Sequence, residues 1–140
     1  MRIRDGLIAF LAITLAAGSS VAQAPSSDER LRFLLENLNR RAELAQIGMA
    51  AAECHIRDPS WMLRFGAYLE DSRNAFADRL AQGNELQSML FKSMLRGSEH
   101  TATQAAIREV EHYRNQACPR VRASPLLRRA DEAVQSARPR

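Results

Sequence analysis

Residues 31–56 read LRFLLENLNRRAELAQIGMAAAECHI. Through this stretch apolar or small residues recur at the spacing i, i+3, i+4, i+7, which is the pattern of an amphipathic α-helix. The stripe consists of Leu31, Leu34, Leu35, Leu38, Ala42, Ala45, Met49, Ala52 and Ile56. It continues for about eight helical turns, so it predicts one long helix whose apolar face packs against other helices. Gly48 within the stripe predicts a point where a neighbouring helix approaches closely.

Capping residues mark where this helix begins and where a second helix follows it. Ser26 and Glu29 have the spacing of a capping box. Asp58 suits an N-cap and Pro59 suits the first position of a helix, so a second helix is predicted to begin there. Gly83–Asn84 predicts its end. The apolar stripe of the second helix consists of Trp61, Met62, Phe65, Tyr68, Leu69, Phe76 and Leu80.

Three further helices are predicted in the remainder of the chain. A short helix covers about Glu85–Arg96 and ends at Gly97. Ser98 caps a fourth helix that ends at Pro119, and Ser124–Pro125 repeats the pattern of a cap followed by proline at the start of a short C-terminal helix. No strand-like alternation of apolar and polar residues occurs in the sequence. The predicted class is therefore all-α.

The two cysteines constrain how these helices are arranged. In an oxidising compartment Cys54 and Cys118 are expected to form one disulfide, which closes a loop of about 65 residues and stabilises the fold by roughly 4 kcal/mol. Both cysteines lie at C-terminal ends of predicted helices, and a regular up-and-down four-helix bundle would place those ends at opposite poles. We therefore predict a small helical bundle of three long helices, with Glu85–Arg96 as a short crossing helix, a C-terminal helix and one disulfide.

The first residues of the chain have the features of a secretory signal peptide. Arg2 and Arg4 precede the uncharged apolar run Leu7–Ala17, and small residues follow it. A membrane-spanning helix needs about 20 apolar residues, so this run is too short to be a good anchor. We expect a periplasmic or secreted protein with no transmembrane segment after signal cleavage. An uncleaved membrane-tethering helix is the alternative.

Two cleavage sites fit the preference of signal peptidase for small residues, one after Ala22 and one after Ala24. Cleavage after Ala24 would place Pro25 directly after the cut bond, and proline lacks the N–H of other residues, so we favour Ala22. The predicted organisation is a signal peptide over residues 1–22, a helical bundle domain over 23–119, and a basic C-terminal helix or tail over 120–140.

The basic residues are almost all arginine, with Lys92 as the only lysine, and the formal net charge of the chain is +4. The compartment argues against a nucleic-acid partner. A basic face can instead meet an anionic envelope surface, and the tail is the most arginine-rich segment. The candidate residues for binding an anionic partner are Arg120, Arg122, Arg128 and Arg129. A solvated terminus and the arginine codons of a GC-rich genome are the alternatives, and deletion of residues 122–140 distinguishes a docking tail from a structural one.

No catalytic residues and no cofactor are predicted. Glu109 and His112 form a single Glu-x-x-His, whereas di-iron carboxylate bundles need two such motifs and further glutamates. Met49 and His112 are expected at similar height in the bundle, as in Met/His haem ligation, but the sequence has no C-x-x-C-H. Met89 and Met94 are five residues apart, so they cannot face one copper ion, and we expect core packing to account for them.

The sequence favours a non-enzymatic exported protein that binds a partner, either an unknown protein or an anionic envelope surface. The alternative is a periplasmic metal- or haem-binding bundle for electron transfer or sensing, which would use His112 with Glu109 or Met49.

Overall fold

The computed structural model describes residues 26–137. Over that range the chain forms four helices and no strand. Their bounds are α1 Ser27–Glu53, α2 Pro59–Ala81, α3 Glu85–Ala123 and α4 Pro125–Ser136. The all-α class, the three long helices and the C-terminal helix are confirmed. The predicted signal peptide over residues 1–22 lies outside the described residues.

The capping residues begin the helices where the sequence predicts. The Ser26 hydroxyl accepts from the backbone N–H of Glu29 at 3.2 Å, and the Glu29 carboxylate accepts from the backbone N–H of Ser26 at 2.9 Å. Asp58 accepts from the backbone N–H of Trp61 at 2.7 Å. These bonds satisfy donors that have no partner within a helix, so they fix the first turns of α1 and α2.

The predicted short crossing helix is wrong as a separate element. Residues 85–96 are the first part of α3, which continues through Gly97 and through Pro119 to Ala123, with a bend at Tyr113 (φ −132°, ψ 32°). A glycine inside a helix costs only about 1 kcal/mol relative to alanine, and packing on either side of the glycine exceeds that cost. Leu95 and Glu99, two residues before and after it, are both buried.

The predicted relation between the first helix and the cysteine-bearing helix is nevertheless confirmed. Short turns join α1 to α2 and α2 to α3, so the three helices alternate in direction and α1 runs parallel to α3. Cys54 and Cys118 therefore lie at the same end, where they form the predicted disulfide with a Cα–Cα distance of 5.6 Å. We call this the disulfide end. The opposite end, formed by residues 27–38, 76–81 and 85–95, is called the open end.

Most of the core lies at the disulfide end. One cluster joins α1 to α3 and α4, and its buried residues are Ala50, Ala51, Ala106, Val110, Ala117, Val121 and Leu127. A second cluster packs Trp61 and Phe65 of α2 against Ala130 and Val134 of α4. The open end has a smaller cluster of Leu34, Phe76, Ala77 and Leu95.

The C-terminal helix is part of this core. Leu127 and Val134 are 4% and 5% exposed, and the Arg57 guanidinium on the loop before α2 donates two hydrogen bonds to the Asp131 carboxylate of α4, at 2.8 and 2.6 Å. Deletion of residues 122–140 would remove these contacts and so destabilise the fold. A deletion that spares the fold, as expected for a tail that only docks on a surface, does not agree with this packing.

Gly48 has the role that its place in the stripe predicts. A Cβ atom added at Gly48 would lie 2.1 Å from Cε1 of Phe65, which is far closer than atoms pack. Glycine is therefore required for the Phe65 ring of α2 to lie against α1. Within residues 26–137 no helix is both long and apolar enough to cross a membrane.

Candidate functional site

The residues of the alternative metal or haem site have separate surroundings. The Glu109 carboxylate accepts a hydrogen bond from Arg120 Nη2 at 3.0 Å, and His112 is exposed, with Nδ1 2.7 Å from the carbonyl oxygen of Arg108 on the same helix. Met49 packs against the core cluster of the disulfide end. In the described part of the chain, no three or more His, Cys, Asp or Glu side chains are grouped so that they could hold a metal ion.

The arginines predicted to bind an anionic partner are all exposed, but they differ in their contacts. Arg120 is paired with Glu109. The side chains of Arg122, Arg128 and Arg129 form no hydrogen bond or ion pair with any residue of 26–137. Their guanidinium groups are free to meet an anion, but no neighbouring side chain holds them in a fixed binding geometry.

A buried ion cluster in the middle of the bundle was missed by the sequence reasoning. The Glu99 carboxylate of α3 accepts from Arg41 Nε of α1 at 2.8 Å and from Arg73 Nη1 of α2 at 2.7 Å. The side chains of Arg41, Arg73 and Glu99 are 12%, 9% and 8% exposed. Arg41 donates further bonds to the Ser72 hydroxyl and to the Leu69 carbonyl. The sequence contained a signal for this cluster, because Arg41 lies three residues after Leu38 and four before Ala45, within the apolar stripe of α1.

The geometry of this cluster indicates a structural role. Each carboxylate oxygen of Glu99 is bonded to an arginine, and the three side chains join all three long helices. A buried ion pair adds little net stability, but loss of one partner leaves the other charges uncompensated in a medium of low dielectric. The cluster therefore restrains how α1, α2 and α3 are aligned. The Nε atom of Arg73 is buried without a hydrogen-bond partner among the described residues.

The open end carries most of the exposed apolar surface. Nine large apolar side chains of the described residues are at least 46% exposed, and seven of them lie at this end. Among these, Met89 is 67% and Met94 is 50% exposed, so the prediction that core packing accounts for these methionines is wrong. No described helix covers these two side chains.

Two of the seven side chains, Leu31 and Leu90, line one groove. The groove has a volume of about 510 Å³ and is lined by Leu31 and Leu34 of α1, Leu80 of α2, Leu90 and Phe91 of α3, and the polar residues Ser27, Arg30 and Gln87. Leu86, Leu90 and Met94 are spaced four residues apart, so they form one row on α3 beside it. Leu31 and Leu35 form a matching pair on α1. We call these five residues the apolar face: Leu31 54%, Leu35 51%, Leu86 67%, Leu90 56% and Met94 50% exposed.

The other two exposed apolar side chains of the open end lie outside this face. The Phe33 ring packs against Phe76 with ring centroids 5.4 Å apart. Met89 lines a separate recess beside Asp78, which accepts hydrogen bonds from Lys92 and Ser88. These two bonds, of which that from Lys92 has the larger effect, lower the pKa of Asp78.

The charges around the apolar face are of both signs. Arg32 and Glu36 follow Leu31 and Leu35 in the sequence, and all four side chains are exposed. Arg30 is the only ionisable residue that lines the groove, and its Nε atom is buried without a hydrogen-bond partner in the described part of the chain. A buried donor without an acceptor is unfavourable by about 1–3 kcal/mol. An acceptor supplied by a bound molecule would remove that cost.

No protein-family model matches the chain, and no curated protein or solved structure matches it either. A function for this chain is therefore inferred from its own residues and surfaces.

Proposed function

We propose that this chain is an exported, non-enzymatic protein that binds another polypeptide through the apolar face of the open end. The observation that carries this proposal is that the five leucine and methionine side chains of this face are each at least half exposed, and that two of them, Leu31 and Leu90, line one groove. Removal of apolar surface from water is favourable by about 25 cal/mol per Å². Contiguous exposed apolar patches of more than a few hundred Å² are typical of binding surfaces.

Two features support export, one in the N-terminal sequence and one in the fold. Arg2 and Arg4 before the apolar run Leu7–Ala17 are typical of a secretory signal peptide. The disulfide between Cys54 and Cys118 is of the kind that persists in an oxidising compartment. Both features favour a periplasmic or secreted location.

The lining of the groove supports binding over catalysis. General acid–base catalysis needs a side chain whose pKa lies near the working pH. Among residues 26–137, Arg30 is the only ionisable side chain that lines the groove, and a guanidinium group is not a usual general acid or base. The leucine and phenylalanine side chains around it provide contact area instead.

The binding of a neutral apolar dye, Nile red, tests this proposal on the folded, oxidised protein. We expect the wild-type protein to increase the fluorescence of the dye. The double variant Leu90→Glu/Met94→Glu should weaken dye binding at least about fivefold, since one charge then lines the groove and the second lies about one helical turn further along α3. Leu63→Glu is the matched control, because Leu63 is 77% exposed but lies on α2 away from the groove.

A second pair of substitutions separates the apolar face from the arginines. Arg128→Gln/Arg129→Gln should leave dye binding unchanged. If the wild-type protein does not bind the dye, or if Leu90→Glu/Met94→Glu binds it equally well, the apolar face is not a binding surface. If the wild-type protein instead binds vesicles of anionic phospholipid, and Arg128→Gln/Arg129→Gln abolishes that binding, the function lies with the arginines.

A further inference from the structure

We infer that the groove of the open end binds a medium-chain fatty acid, with the acyl chain between α1, α2 and α3 and the carboxylate on Arg30. The inference goes beyond the proposed function, because it concerns a small molecule in the groove and not a polypeptide on the apolar face. The two surfaces share only Leu31 and Leu90. It requires a groove of suitable size, with a polar end and an apolar end, and a cation that has no partner in the protein.

The groove has the size of a small-molecule site. Its volume of about 510 Å³ lies within the range of roughly 300–1,000 Å³ that is usual for ligand pockets. Along α1 the lining extends from Ser27 to Leu34, which corresponds to about 10 Å of helix. Leu34 is only 6% exposed, so the groove reaches a buried side chain. With single bonds of about 1.5 Å, an extended chain of about ten carbons spans slightly more than this length.

The polar and apolar lining residues are separated along the groove. Ser27 and Arg30 belong to the first four residues of α1, and Gln87 is the third residue of α3. Because α1 runs parallel to α3, these polar side chains lie at the same end of the groove. Leu34 of α1 and Phe91 of α3 lie about one helical turn deeper. A ligand with one polar end and an apolar body matches this arrangement.

Arg30 is a cation without a partner at the polar end. Its Nε atom is buried without a hydrogen-bond partner, and its guanidinium group forms no ion pair in the described part of the chain. The neighbouring Glu29 carboxylate instead accepts from the backbone N–H of Ser26 at 2.9 Å. Asp28 and Glu85 are exposed at this end but do not line the groove. A carboxylate matches the planar fork of a guanidinium group and forms charge-assisted hydrogen bonds with it.

The groove suits an acyl chain better than an extended peptide. Every lining residue belongs to a helix, in which the backbone N–H and C=O groups are bonded to each other. An extended peptide brings one N–H and one C=O with each residue, and those that enter the apolar part would lack partners. A fatty acid has polar atoms only at its head, where the polar lining residues lie.

Equilibrium dialysis against decanoate and decanol tests the inference on the oxidised, exported protein. The two probes have the same chain and differ in the charge of the head. We expect decanoate to bind with a dissociation constant on the order of 10–100 μM, which is usual for a ligand of about twelve non-hydrogen atoms. Arg30→Gln should weaken decanoate binding at least about tenfold and decanol binding less than about twofold. Arg32→Gln is the matched control, because Arg32 is exposed on the same helix and does not line the groove.

A second pair of variants tests the position of the head. Gln87→Glu places a negative charge beside the expected carboxylate, so it should weaken decanoate binding at least about fivefold and leave decanol binding nearly unchanged. Gln87→Lys should strengthen decanoate binding by about two- to fivefold for the opposite reason. Gln104→Glu is the matched control, since Gln104 is exposed on the same helix but lies outside the groove. Circular dichroism checks that each variant is folded.

The outcomes separate this inference from the proposed function. A wild-type protein that binds Nile red but no decanoate up to about 1 mM overturns the fatty-acid site and leaves the proposed function standing. Decanoate binding that is equal in the wild-type protein and in Arg30→Gln, or equal in Gln87→Glu and Gln87→Lys, places the carboxylate elsewhere and also overturns the site. Decanoate binding that depends on Arg30 supports the site even where the Nile red experiment contradicts the apolar face.

Discussion

The two halves of α3 belong to one helix, but the first half exposes more large apolar side chains than the second. In the second half, the core residues are small, and each is at most 9% exposed: Ala102, Ala106, Val110, Ala117 and Val121. In the first half, four large apolar side chains are 50–67% exposed: Leu86, Met89, Leu90 and Met94. Small side chains let α1 lie close to α3, and α4 adds cover at the disulfide end. Large apolar side chains that remain exposed contribute little to folding. The difference in exposure therefore separates a structural half of α3 from a half that is suited to binding.

The disulfide should have the largest effect on the structural half. Replacement of both cysteines, Cys54→Ser/Cys118→Ser, should lower the free energy of unfolding by about 4 kcal/mol, because a loop of this length gains that much entropy when it is opened. Urea denaturation followed by circular dichroism measures the change. Dye binding at the open end should survive wherever the variant remains folded. Two titratable thiols in the native exported protein would show that the bridge does not form in the cell.

The buried ion cluster should be nearly as important, and it lies where the two halves meet. Glu99→Gln should lower the free energy of unfolding by about 3 kcal/mol, because Arg41 and Arg73 would remain buried without a negative partner. Glu111→Gln is the matched control, since Glu111 is exposed on the same helix and should change stability by less than about 0.5 kcal/mol. Equal stability of the two variants would mean that the cluster is solvated.

Two glycine substitutions should change the stability of the protein in opposite directions. Gly48→Ala should destabilise the protein by about 1–2 kcal/mol, because the new methyl group would overlap the Phe65 ring and the clash outweighs the gain in helix propensity. Gly97→Ala should stabilise it by about 0.5–1 kcal/mol, because an added Cβ has no neighbour within 4 Å and α3 is continuous there. Loss of stability in Gly97→Ala would indicate a break between the two halves of α3.

A further stability effect depends on pH and lies at the disulfide end. The hydrogen bonds from Arg57, with a smaller contribution from Trp61, hold the pKa of Asp131 below its ordinary value. A carboxylate with a lowered folded-state pKa contributes stability above its unfolded pKa of about 3.9, and that contribution is lost as the pH falls through the folded pKa. Asp131→Asn should therefore cost about 1 kcal/mol at pH 7 and progressively less below about pH 4. A difference that does not depend on pH would show that the ion pair contributes nothing.

The sequence predicted the features that depend on local spacing. The stripe of α1, the caps at Ser26 and Asp58, and the pairing of Cys54 with Cys118 all follow from residue types at fixed intervals. The continuity of α3 through Gly97 could not be predicted, because a cost of about 1 kcal/mol is exceeded by packing against residues far away in the sequence.

The candidate site was predictable in part. Periodicity shows which side chains of residues 85–96 share a face, but it does not show whether another helix covers that face, so Met94 was assigned to the core. The partners of Arg41 could not be predicted either, since Glu99 is 58 positions away in the sequence. Each of these errors concerns long-range packing, which depends on the whole chain.

The most direct test of the difference between the two halves of α3 is the rate at which the methionines are oxidised. Folded protein at a concentration of about 1 μM is treated with dilute hydrogen peroxide, and each sulfoxide is located by mass spectrometry of peptides. Met89 and Met94 should oxidise at least about tenfold faster than Met49, which packs against the core of the disulfide end. Met89 and Met94 rates as slow as that of Met49 would show that the first half of α3 is packed, and would contradict the existence of the apolar face.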